Sequence, residues 1–195
     1  MPISSNLRKV GAFVKDIPAY MSEFAMPSAE ASPAVAAEAR KYIGQGEQGG
    51  NNRGPFVGGL GGRQGDPWCS SFVSQMTKNV GEDVFGYLPM AKQWWNKARK
   101  AGMTVTEPQS GDIAVFTRGN PKSAQGHVGI VDSVTRDSIT VIEGNVGAYP
   151  AKVKRVTYSK GAVPRLLGYV RTPAQAAQPA QPTGTVPTGP AGGGW

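Results

Sequence analysis

Residues 112–145, DIAVFTRGNPKSAQGHVGIVDSVTRDSITVIEGN, decide the fold. Three runs within them, 112–118 (DIAVFTR), 127–134 (HVGIVDSV) and 138–145 (SITVIEGN), carry a period of two, the mark of half-buried strands. Downstream, 153–159 and 166–171 repeat it. Upstream the pattern is helical. A helix is predicted over 33–45 (PAVAAEARKYIGQ), another over 67–80, and a third over 90–101. Helices first and an antiparallel run of strands afterwards is an α+β arrangement, with the helices packed on one face of the sheet.

Outside this domain, 33–172, the composition changes. Residues 1–32 show no sustained period and read as an N-terminal arm. Residues 173–195 carry no charge and five prolines, and read as a flexible tail that ends on Trp195. The tail and a loop at 44–65, with ten glycines in 22 residues, take up much of the chain's 27 glycines and 16 prolines. That loop lacks a Gly-Lys-Ser/Thr ending and follows no predicted strand, so it does not read as a phosphate loop. The segment 1–14 has Lys9 and Lys15 flanking only a short apolar run, too short for a signal-peptide core or a membrane span. The expectation is a chain made in the cytoplasm and carried to wherever it acts.

The 195 residues hold one cysteine and one histidine. That excludes an intramolecular disulfide and a Cys/His zinc site of four ligands, but not a thiol nucleophile, which needs one cysteine and one base. Asp66 is placed as N-cap and Pro67 as first helical residue, so Cys69 falls in the first turn of the 67–80 helix. Phe72, Val73, Met76 and Val80 form the buried stripe of that helix, and Cys69 lies on it; a packed thiol is the plain alternative to a reactive one. The reactive reading rests on the helix dipole, which favours a thiolate there, and on first-turn N–H groups that can bind an oxyanion. His127 opens a strand. On the next one, Ile139, Val141, Glu143 and Asn145 share a face by alternation. If the two strands pair, Glu143 or Asn145 reaches the imidazole nitrogen that does not face Cys69, which gives nucleophile, base and orienter. Asp132 has the wrong parity for that role, and Asp112 reads as a turn former. Ser70 and Ser71 lack the Gly-x-Ser-x-Gly context of a serine hydrolase.

PWCSSFV (67–73), GDIAVF (111–116), GHVGIV (126–131), VIEGN (141–145) and RLLGYVR (165–171), in this order, resemble the CHAP family of cysteine, histidine-dependent amidohydrolases/peptidases. They are similar in particular to its bacteriophage and bacterial cell-wall lysins. The resemblance implies a papain-like α+β fold and cleavage of an amide bond in peptidoglycan, by an amidase or an endopeptidase. It places the nucleophile on Cys69, the general base on His127 and the orienting residues on Glu143 and Asn145. Trp68, Ser70, Trp94 and Trp95 are candidates for the oxyanion site and substrate groove. Some members bind calcium in an acidic loop before the cysteine. Here that loop holds only Glu47 and Asp66, so neither metal nor cofactor is expected.

The formal net charge is +8, and six cations (Lys152, Lys154, Arg155, Lys160, Arg165, Arg171) follow Glu143 with no acid among them. This suits an anionic wall polymer or a solvated sheet edge; no groove-reading motif points to nucleic acid. Peptidoglycan is the expected partner, with virion proteins as partners of the arm or tail. Two rivals stand beside the hydrolase: a structural or wall-binding virion subunit with little turnover, and an injected thiol-dependent toxin acting on protein.

Overall fold

The alternation at 112–145 becomes the middle of a six-stranded antiparallel sheet. A computed structural model describes residues 33–120 and 122–173; the arm 1–32 and, from residue 174 on, the tail with Trp195 lie outside the described residues. Four helices come first: α1 (Pro33–Arg40), α2 (Pro55–Gly59), α3 (Cys69–Asn79) and α4 (Ala91–Ala101). Six strands follow: β1 (Thr104–Val105), β2 (Ile113–Thr117), β3 (Gly126–Val134), β4 (Ser138–Val146), β5 (Lys152–Ser159) and β6 (Leu166–Val170). Their order across the sheet is β1-β6-β2-β3-β4-β5. The chain is therefore α+β, as its pattern predicts.

Alternation sends the strands' side chains to two cores. Ile113, Val115, Val128, Ile130, Ile142 and Val170 pack under the helices with Phe72, Val73, Met76 and Trp94. Ala114, Phe116, Val131, Ile139, Val141 and Tyr169 form a smaller cluster on the other face. Burying each large apolar side chain contributes about 1.5–3 kcal/mol, so the helical layer is held chiefly by this first core.

Several boundaries differ from the sequence reading, each for a local reason. Helix α1 stops at Arg40, short of residue 45, because the Gly44 N–H donates to Val153 O and Gln45 O accepts from Val153 N, which draws the chain onto β5. Helix α3 starts at Cys69 with Trp68 as N-cap, so Asp66 is not the cap and Pro67 is not the first helical residue. The Asp66 N–H instead closes a turn onto Arg63 O. Helix α2 sits inside the glycine-rich loop, where glycine hides helical propensity. Strand β1 is a two-residue edge, too short to leave a period.

Polar residues tie the layers together. Asp112 is fully buried, accepts the Gln109 N–H in its turn and pairs with Arg171 at 2.8 Å. Asp132 pairs with Arg40 and Arg155, and Lys160 pairs with Glu107. Three of the six cations after Glu143 are thus engaged within the fold, which narrows the positive surface that the raw charge suggests.

Glu47 carries the largest structural duty in the glycine-rich loop. Its buried carboxylate accepts from Asn52 N at 2.9 Å, Trp68 Nε1 at 3.1 Å and Ala151 N at 2.8 Å. One side chain so joins the loop, the start of α3 and the turn between β4 and β5. Glu47→Ala leaves three N–H donors without that acceptor, and each buried unpaired donor costs about 1–3 kcal/mol. A loss of about 3 kcal/mol or more is expected in urea unfolding; an unchanged midpoint would show that the carboxylate is not the tie described.

Candidate active site

The site assembles where α3 begins and where β3 and β4 meet. Strands β3 and β4 pair with Gly129 opposite Glu143. Alternation then places His127, two residues before Gly129, on the face that carries Glu143. A Cβ on Gly129 would meet Glu143 Cγ at 2.7 Å and Ile142 O at 2.8 Å, so only glycine leaves room for the Glu143 side chain. Gly144 does the corresponding service for α3. A Cβ there would meet Trp68 Cζ3 at 2.8 Å and Phe72 Cβ at 3.0 Å. Helix α3 therefore lies directly on β4, one residue beyond Glu143.

The imidazole of His127 lies 2.7 Å from Glu143 Oε2 through Nε2, and both residues are buried. A hydrogen bond joins His127 to the Cys69 thiol, and the Val128 backbone also bonds Cys69. With Nε2 on Glu143, the contact with Cys69 falls to the Nδ1 side. This is the nucleophile–base–orienter order of a thiol hydrolase. Glu143 has a second partner: the Tyr158 hydroxyl donates to Oε1 at 2.6 Å. Phe116 stands between the two rings, with centroids 6.0 Å from His127 and 5.7 Å from Tyr158.

The electrostatics follow from these contacts. Burial pushes the Cys69 thiol up, but the His127 hydrogen bond and charge, the Arg118 charge and the Val128 backbone outweigh it, and the net direction is down. Burial pushes His127 down, but hydrogen bonds and charge from Cys69 and Glu143 carry it up to about 9. Burial and then the Glu143 carboxylate hold the Tyr158 phenol above its ordinary range. The surroundings thus favour a thiolate beside an imidazolium. In a reaction in which His127 gives a proton to a leaving group, turnover is expected to hold up to about pH 9 and to fall above it, as the imidazolium is lost. A kcat profile between pH 6 and 11 checks this; a fall centred near His127's ordinary value of 6.5 would contradict it.

Asn145 is not brought to the imidazole. The β4–β5 register shifts between Glu143 and Val146, and Asn145 takes a left-handed φ of 60°. The alternation that grouped Asn145 with Glu143 ends at that irregularity. Among the described residues, the hydrogen bonds of His127 run to Cys69, Arg118 and Glu143. Asp132 faces Arg40 and Arg155 instead of the site.

The groove candidates separate. A cleft of about 470 Å³ has Cys69 in its lining, with Pro67, Met90 and Ala91 on one side and Arg118 and Gln125 on the other. Trp68 is buried beside it, pinned by Glu47 and set edge-on to Phe56. Trp94 is fully buried and donates from Nε1 to Ser70 Oγ, which itself donates to Leu88 O. Trp95 covers Gly168 of β6, where a Cβ would meet its ring at 2.5 Å. These four side chains shape the fold around the cleft rather than line it. Among the described residues, no group of three or more His, Cys, Asp or Glu side chains gathers to hold a metal, and no helix is long and apolar enough to cross a membrane.

Sequence reasoning missed Arg118 and Tyr158. Arg118 had one available signal: it lies two residues beyond Phe116, hence on the same strand parity, and Phe116 pairs with His127. Tyr158 gave none, because its reach to Glu143 depends on the β4–β5 register.

Residues 61–145 match the family model of the CHAP domain, a span that holds Cys69, His127 and Glu143. The crystal structure of Ly7917 is similar at 20% identity and a TM-score of 0.50, over 72% of this chain and 62% of that one. A second structure, Ly7917 with the hydrolyzing product of MDP, gives 21% identity and a TM-score of 0.46 over the same shares. The chain thus spans less than two thirds of the length of the solved protein it matches. No curated protein matches. At such identity the likeness is one of fold: α+β and papain-like.

Proposed function

We propose that this chain, with a CHAP domain at residues 61–145, is a peptidoglycan hydrolase that cleaves an amide bond by a Cys-His thiol mechanism. The observation that carries the reading is the contact chain Cys69–His127–Glu143 at a cleft wall, with Nε2 2.7 Å from the buried carboxylate. Cys69 gives its proton to His127, and the thiolate attacks the amide carbonyl. First-turn N–H groups of α3 receive the oxyanion, since helix starts leave them without intrahelical partners. The imidazolium protonates the leaving amine. Water, deprotonated by the same imidazole, then hydrolyses the thioacyl-enzyme and frees Cys69.

Glu143 is the third member in this reading. It fixes the tautomer that leaves Nδ1 free to accept, and it stabilises the imidazolium that forms. Asn145 has no such contact among the described residues. A phage lysin, delivered at entry or at lysis, is the setting that the Pro67-Trp68-Cys69 motif favours, with the wall as site of action. The test is release of soluble fragments from purified cell wall, read by mass spectrometry for the new N-terminus. Binding to wall without release would instead favour a structural subunit, and cleavage of protein but not wall would favour a toxin.

A further inference from the structure

The cleft wall that faces α3 carries Arg118, just beyond the end of β2. Its side chain is exposed, yet Nη2 lies 3.1 Å from Nδ1 of His127. A guanidinium only donates, so while this contact is made Nδ1 offers its lone pair, the imidazole is neutral with its proton on Nε2 toward Glu143, and the Cys69 proton stays on sulfur; the thiolate–imidazolium pair that the site favours forms once the contact is released. That lone pair is the one that must take the Cys69 proton. Arg118 and Cys69 therefore compete for one acceptor, and the base is masked while Arg118 sits on it. Among the described residues no ion pair joins Arg118 to a carboxylate. The cleft around it is lined by Pro67, Pro89, Met90, Ala91 and Ala124, with Asp66 as its one acidic residue. A planar fork of N–H donors in such a cleft matches a carboxylate in two parallel hydrogen bonds.

We propose that Arg118 is the binding site for a carboxylate on the substrate, adjacent to the scissile amide, and that engaging it uncovers the base. The guanidinium turns from Nδ1 to the carboxylate. The S–H proton of Cys69 then passes to Nδ1, which leaves a thiolate on Sγ and an imidazolium held by Glu143. The thiolate's electron pair forms the S–C bond to the amide carbonyl, whose π pair moves onto oxygen; as the carbonyl re-forms the C–N bond breaks, and the amine leaves with the proton held on Nδ1. Asp66 repels a carboxylate from the α3 side and so directs it to Arg118. A substrate whose acid is amidated cannot draw the guanidinium away, and the masked state persists. The preferred substrate class is thus an acidic peptide with a free carboxylate beside the cleaved bond.

This inference rests on the hydrolase reading for the substrate's identity, but not for the anion preference of the thiol. Two measurements on the full chain test it. The first compares kcat/KM on two synthetic stem peptides that differ only in a carboxylate or carboxamide next to the scissile amide. The wild-type chain is expected to prefer the free acid by about tenfold or more, the scale of a charge-assisted pair. Arg118→Met should bring that ratio close to one, mainly through loss on the acid. A preference that survives in Arg118→Met overturns the proposal. The second measurement compares alkylation of Cys69 by iodoacetate and by iodoacetamide. The wild-type chain should favour iodoacetate relative to free cysteine, and Arg118→Met should return to the free-cysteine ratio; equal ratios in both proteins overturn it. If neither peptide is cut, the hydrolase reading fails and the alkylation ratios alone decide the role of Arg118.

Discussion

Cys69→Ala is expected to abolish release of wall fragments, by a factor on the order of a million when the thiol is the nucleophile. No other residue of the chain can supply a thiolate, since the sequence holds a single cysteine. The variant is expected to stay folded. Cys69 is buried at the start of α3, and removing one sulfur from a packed site costs about 1 kcal/mol, a small part of a domain's stability. Loss of activity with a near-native thermal transition is therefore the expected pair of results. Turbidity of purified wall and circular dichroism on the same preparation measure both. Retention of more than about a thousandth of the wild-type rate would remove Cys69 from the role of nucleophile.

Glu143→Gln is expected to lower kcat by about a hundredfold to ten-thousandfold, the range seen when an orienting carboxylate beside a catalytic imidazole is neutralised. The amide keeps the volume. Its oxygen can accept from Nε2 and its NH2 can donate to the Tyr158 hydroxyl, so both contacts are replaced and the fold survives. What disappears is the negative charge that, after the contact with Cys69, helps to hold His127 up at about 9. The pH at which turnover falls should accordingly move toward neutrality in the same variant. Tyr158→Phe provides the contrast. It removes one hydrogen bond to Glu143 and leaves the charge, so its effect should stay near fivefold, about 1 kcal/mol. Equal losses in the two variants would mean that placement of the carboxylate, rather than its charge, is what matters.

Local rules made much of this site legible before any fold was known. The change of period from helix to strand placed the sheet, and alternation grouped Glu143 with Asn145 on a strand that meets His127 if the two strands pair. The rules failed where long-range contact overrides local pattern. Asn145 read as a partner of Glu143 because alternation was extended through a bulge that only the β4–β5 register defines. Trp94 read as a groove residue because an amphipathic helix does not say which of two adjoining tryptophans points inward; the Ser70 hydroxyl settles it. Asp66 read as a cap because its residue type is favoured there, while the tie from Trp68 to Glu47 fixes the chain's entry into α3. Tyr158 and Arg118 become visible only when the pairing of neighbouring strands, β4 with β5 and β2 with β3, is fixed.

Gly129 and Gly144 have a consequence for anyone who would move this chemistry elsewhere. Neither touches a reacting atom, yet one clears the space in which the Glu143 side chain lies and the other lets α3 rest on β4. The spacing of Cys69, His127 and Glu143 is set by what these two positions lack. Grafting Cys69, His127 and Glu143 onto a new scaffold transfers the functional groups but not their clearance. The portable unit is five residues, two of them defined by an absent methyl group.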